Sequence, residues 1–117
     1  MIGAGELNRR VVFYKRVEDS RSALNEPVGR LVIFLIARAR RRDVSDVEKM
    51  QAGRESTALQ ARFVVRSCPK VRRITAADRL TCDGLMWEIV GVKELDQGRN
   101  RFLEITAVTN RETDVQS

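Results

Sequence analysis

Residues 79–92 read RLTCDGLMWEIVGV, and the Asp83-Gly84 step at its centre decides what kind of fold this chain can have. Asp-Gly suits the positive φ values of a two-residue hairpin turn. On either side, Arg79 to Cys82 and Leu85 to Val92 carry the β-branched, aromatic and long apolar residues that pack on a pleated surface. An antiparallel hairpin is expected here, with Trp87 and Ile89 on its buried face.

Working outward, Thr57, Leu59, Ala61, Phe63 and Val65 alternate with positions that include Gln60 and Arg62. This period of two marks a strand with one wet face. Cys68-Pro69 should end it, because proline cannot donate to a ladder, and Ile74 to Asp78 is expected to make one helical turn. Arg9 to Arg16, RRVVFYKR, reads as a first strand. The polar segment from Glu18 to Gly29, which contains Asn25, Pro27 and Gly29, reads as a long exposed loop. Leu31 to Ile36 is continuously apolar, as in a strand buried on both faces, and Ala37 and Ala39 then alternate with Arg38 and Arg40.

Ser45-Asp46-Val47-Glu48 has capping-box spacing, so a short α-helix should begin there and stop at Gly53. A second turn over Asp96 to Asn100 leads into a last strand, Phe102 to Val108, and a polar tail, Asn110 to Ser117, expected to fray. About six strands with one short helix predict a mainly β domain, a small antiparallel barrel or sandwich. Leu59, Phe63, Trp87, Ile89, Leu103 and Ile105 are its candidate core.

At 117 residues and 13.3 kDa the chain has room for one domain spanning 1–117. Its longest apolar run, Leu31 to Ala37, is far short of a membrane-spanning helix. The start MIGAGELNRR has no basic-then-apolar signal pattern and is expected to be flexible, and cytoplasmic synthesis is the expectation.

Histidine is absent, which removes Ser-His and Cys-His nucleophile pairs, histidine general bases and imidazole zinc sites. Ser67-Cys68-Pro69-Lys70 matches an S-x-x-K spacing, but Pro69 forces the preceding residue out of the helix that chemistry needs. Gly3-Ala4-Gly5 has neither a preceding strand nor a third glycine, so a dinucleotide fingerprint has no support. Asp43, Asp46, Glu48, Asp78, Asp83 and Glu88 are too scattered for a calcium loop. Cys68 and Cys82 lack metal or redox spacing and are expected as free thiols. The chain is read as a non-enzyme without a cofactor.

What remains is charge. The net charge is +6, carried by 18 Arg and 4 Lys, and guanidinium groups suit both protein interfaces and phosphate backbones. Arg38, Arg40, Arg41 and Arg42, with Arg72 and Arg73 further on, form the most nucleic-acid-like cluster. The few aromatic residues sit mostly at core-facing positions, so base stacking is disfavoured and backbone contact without sequence readout is the mechanism left.

The order of features, GELNRRVVF at 5–13, NEPVG at 25–29, the strand into a short polar helix, and DGLMWEIVGV at 83–92, resembles the phage head-tail joining proteins. These are also called head-closure or stopper proteins, and they occur in long-tailed phages and phage-derived gene transfer agents. The resemblance runs from Gly5 to Thr109 and is most specific over Gly84 to Val90, a turn glycine followed by an aromatic-Glu-Ile strand. It implies a structural subunit of a homo-oligomeric ring, with the portal or adaptor ring above, tail proteins below and packaged DNA passing through the channel. A closed ring needs a heterologous interface. The acidic Glu18, Asp19 and Glu26 and the basic Arg38, Arg40, Arg41 and Arg42 are the candidate opposed patches. The alternative is a small basic barrel that binds nucleic-acid backbone on its own.

Overall fold

The structure is a computed structural model, and it describes residues 7–21, 27–44, 59–95 and 102–109. Six strands are present: β1 (Arg9–Arg21), β2 (Pro27–Asp43), β3 (Leu59–Arg66), β4 (Arg79–Cys82), β5 (Leu85–Leu95) and β6 (Phe102–Thr109). All pairings are antiparallel, and the order β1-β2-β3-β6-β5-β4 closes as β4 returns to β1. Of the barrel and sandwich expected, the barrel forms, and closure pairs both sides of every strand over part of its length.

The β4–β5 hairpin forms at Asp83-Gly84, where φ is 54° and 80°. Glycine accepts that backbone at no steric cost, and Asp is among the few other residues that tolerate it. The turn sets Leu80 opposite Trp87 in the core. Trp87 meets Phe63 edge to face, with centroids 5.3 Å apart and planes at 78°. Its indole N–H donates to the Cys82 carbonyl at 3.4 Å. Phe63, Trp87, Ile89, Leu103 and Ile105 are buried with Val11, Phe13, Val65 and Leu80. Leu59 is half-buried against this cluster at one rim.

Alternation alone assigns Val64 to the wet face of β3. It is buried instead, in a smaller cluster with Leu7 and Phe102, against which Leu95 packs.

Three expectations are corrected. Glu18 to Gly29 is not a loop throughout: β1 runs on to Arg21 and β2 starts at Pro27, with Glu18 paired to Gly29 and Arg21 to Pro27. Backbone pairing in a two-stranded arm orders these ends despite their polarity, and residues 22–26 lie outside the described residues. The run Leu31 to Ile36 is not buried on both faces, because Leu31, Ile33 and Ile36 are exposed. A bulge explains the phase: Phe13 pairs with Leu35 but Tyr14 pairs with Ile33, so Phe34 is the extra residue. Phe34 and Leu35 therefore both pack against the core.

The helical turn expected over Ile74 to Asp78 lies earlier, as a 3-10 turn at Val71–Arg73. Thr75 to Asp78 forms a turn in which the Asp78 amide donates to the Thr75 carbonyl at 3.0 Å and the Thr75 amide to the Asp78 carboxylate at 2.9 Å. That side-chain bond competes with helix formation. The helix expected from Ser45 and the turn over Asp96 to Asn100 fall outside the described residues.

Candidate assembly surfaces

The barrel has two ends. The turn end carries Asp83-Gly84, where β4 meets β5. The arm end carries the paired extensions of β1 and β2 and the crossing from β3 to β4. Two flanks, the outer faces of β2 and β5, carry exposed apolar side chains.

At the turn end, the period of two that places Ala37 and Ala39 inward also turns Arg41 inward. Its guanidinium carbon sits 4.9 Å from the Trp87 ring centroid. Its Nη1 donates to Asp83 at 2.7 Å and its Nε to Asp43 at 2.8 Å, while Arg9 donates to the other Asp83 oxygen at 3.1 Å. Burial opposes the charge on Arg41, but the hydrogen bonds to Asp43 and Asp83 outweigh it and hold its pKa above the ordinary value. Desolvation likewise opposes ionisation of Asp83, and the bonds from Arg41 and Cys82 with the charge of Arg9 override it, so its pKa is lowered. Burial first, and then the Asp83 charge, push the Cys82 thiol up to about 11. Among the described residues, the charges of Arg9, Arg41, Asp43 and Asp83 offset one another here.

The arm end is different. Lys15 donates to the buried Asp78 carboxylate at 2.7 Å and to the Arg73 carbonyl at 2.9 Å. Lys15, Lys70 and Arg73 approach the Phe34 ring at 4.8, 5.2 and 5.5 Å from its centroid. Asp78 is the carboxylate bonded to that group, and Lys15 already holds it. Beside it a groove of about 230 Å³ is lined by Arg16, Gly29, Arg30, Leu31, Ala77 and Arg79. Arg16 lies flat across Gly29, where a Cβ would come within 2.3 Å of its Nε.

The sequence-derived interface residues are divided by the structure. Arg38 and Arg42 are exposed, Arg40 is half-buried, and Arg41 faces Trp87. Glu18 is exposed on the arm, Asp19 lies in β1 with its side chain outside the described residues, and Glu26 lies outside them entirely. Arg38 pairs with Arg10, eight positions along β1 from Glu18, which separates Arg38 from Glu18 by roughly 25 Å. Among the described candidates, these two lie on distinct surfaces. Ser67 of the S-x-x-K spacing accepts a bond from Arg72 at 2.9 Å. Both cysteines are free thiols.

Sequence reasoning missed the exposed stripe of Leu31, Ile33 and Ile36, since an unbroken apolar run carries no sign of a bulge. It also missed the inward turn of Arg41, although extending the Ala37 and Ala39 alternation by one step would have found it.

The fold is thus a closed six-stranded barrel whose outer faces on β2 and β5 carry exposed apolar side chains. The family model for phage head completion proteins matches residues 2–110, and the chain belongs to that family. Its role is accordingly structural, in phage head completion. Among solved structures, protein SF1141 from Shigella flexneri 2a matches with a TM-score of 0.69 and 22% identity, over 95% of this chain and 99% of that one. A chain in the virion of a native gene transfer agent particle matches with a TM-score of 0.60 and 22% identity, over 87% and 93%. At such identity these likenesses speak for the fold. No curated protein matches the chain.

Proposed function

We propose that this protein is the stopper of a phage or phage-like particle. It forms a homo-oligomeric ring at the head-tail junction, joins the portal or adaptor complex to the tail, and helps retain packaged DNA. Synthesis in the cytoplasm precedes incorporation into the particle. The family supports the head-closure role, and the observation that carries the assembly reading is an exposed apolar flank on a barrel whose core is already filled. Leu31, Ile33 and Ile36 are 41%, 62% and 49% exposed, and side chains of that kind clustered on one face of a small domain mark a protein contact. Particles made without this chain are expected to hold filled heads that leak DNA and lack tails. Tailed, DNA-retaining particles from the deletion would refute the proposal.

A second reading, direct contact with nucleic-acid backbone, is favoured by one observation, the gathering of Lys15, Lys70 and Arg73 around Phe34 at the arm end. In the ring these cations would meet the DNA that passes through. Alone they would give weak, salt-sensitive and sequence-independent binding.

A further inference from the structure

A ring subunit must offer two different surfaces, one to each neighbour, on opposite sides of its body. The barrel has such a pair. In the closed order β1-β2-β3-β6-β5-β4, strands β2 and β5 lie three places apart in either direction. Leu31, Ile33 and Ile36 are exposed on the outside of β2, and Met86 and Val90, at 38% and 44% exposure, on the outside of β5. Between them lie polar contacts and, on the β3–β6 side, the small cluster of Val64 and Phe102 covered by Leu7. On one side Arg62 faces Glu104 at 3.9 Å, and on the other Tyr14 meets Thr81 at 3.5 Å.

Both patches reach into stretches where a strand has lost one neighbour. β3 pairs with β2 only over Ala39 to Asp43, so among the described residues Pro27 to Arg38 pair with β1 alone. The β4–β5 ladder covers Leu85 to Glu88 and the Ile89 amide still donates to the Asp78 carbonyl at 3.4 Å, so from Val90 onward the described ladder partner is β6 alone. Along the free side of β2 a groove of about 330 Å³ opens past Leu7, Ile36, Ala37 and Cys68, which is room for a neighbour's Met86 side chain.

Charge selects the pairing. The β2 stripe is bordered by Arg10, Arg16 and Arg38, since Arg10 pairs with Arg38 and Arg16 with Leu31. The β5 patch holds Glu88 between Met86 and Val90, exposed and bonded at its edge by Arg79 at 3.1 Å. Two β2 flanks brought together would oppose arginine to arginine, whereas β2 against β5 sets arginine beside glutamate and aliphatic beside aliphatic.

We infer that the ring closes by seating the β2 flank of one copy, Leu31, Ile33, Ile36 and Arg38, on the β5 flank of the next, Met86, Glu88 and Val90. The inference rests on the ring proposed above and specifies its interface. Because Ile33 and Val90 are exposed, substitutions there spare the core. In a Cys68→Ser background, Ile33→Cys and Val90→Cys are introduced singly and together, and the chain is oxidised at high concentration and within assembled particles. The double variant is expected to give a ladder of linked chains in the particles and each single variant none. Arg38→Glu should abolish the ladder and Glu88→Arg added to it should restore it. Dimers from either single variant would show an isologous contact and overturn the inference. Particles that contain the double variant but give no ladder would overturn the interface and leave the proposed function standing. Complete particles without the chain would overturn both.

Discussion

The guanidinium of Arg41 lies 4.9 Å from the ring centroid of Trp87, so the one tryptophan of the chain is capped at the turn end by an arginine that two carboxylates hold in place. The indole supplies core area, the arginine seals the rim with Asp43 and Asp83, and each depends on the other's position. Replacing Trp87 with Ala removes a fully buried ring and should cost about 3–5 kcal/mol. Arg41→Met keeps most of the packing and removes two charge-assisted bonds to partly solvated carboxylates, for a loss of about 0.5–1.5 kcal/mol. Urea unfolding of both variants checks this, and a Trp87→Ala midpoint equal to wild type would disprove the core assignment.

Asp83 ties the turn end to solution pH. Its folded pKa is lowered, so its contribution is present above the unfolded value of about 4 and is lost as pH falls through the folded value. Asp83→Asn keeps a residue suited to positive φ but removes the charge. The variant should be less stable than wild type at pH 7, and the gap should close on acidification. A gap that stays constant from pH 7 to pH 2 would mean that the carboxylate charge does not matter.

Cys82 and Cys68 should separate by reactivity. Burial and Asp83 push the Cys82 thiol to about 11, and only the thiolate attacks a reagent. At pH 8 a native-state maleimide should label the half-buried Cys68 first, with Cys82 reacting at the rate of unfolding. Equal labelling of the two would contradict the closed turn end.

At the arm end, Lys15 is the side-chain partner that neutralises the buried carboxylate of Asp78. Lys15→Met leaves that carboxylate with the Thr75 amide and should cost about 1–3 kcal/mol. Lys15→Met combined with Asp78→Asn should recover part of the loss. Strict additivity in the double-mutant cycle would show that the pair does not interact.

Lys70 and Arg73 test the contact with DNA. Both are exposed, so Lys70→Ala with Arg73→Ala should leave the melting temperature close to wild type. If these cations neutralise phosphates, the slope of log affinity against log salt should shrink by about 1–2. An unchanged slope would place the DNA-facing surface elsewhere.

The Asp83-Gly84 turn, the alternation around Phe63 and the core pairing of Trp87 were legible in the sequence because each is local, a turn dipeptide or a period. The phase of β2 was not. Leu31 to Ile36 looks the same whether it is buried on both faces or bulged at Phe34 with one face bare, and only the register against β1 shows which. The arm was hidden for the opposite reason, because polar residues from Glu18 to Arg21 are ordered by backbone pairing that composition does not record. Of the candidate interface residues, Arg38 was singled out by charge alone. The β5 surface proposed to meet it could not be read until barrel closure set β2 and β5 on opposite sides.

A density map of the intact particle tests the central claim most directly. The barrel should appear as a closed ring at the head-tail junction, below the portal or adaptor, with Ile33 of each copy against Val90 of the next and the arm end towards the DNA. A junction built without this chain, or copies found singly elsewhere in the particle, would contradict the account.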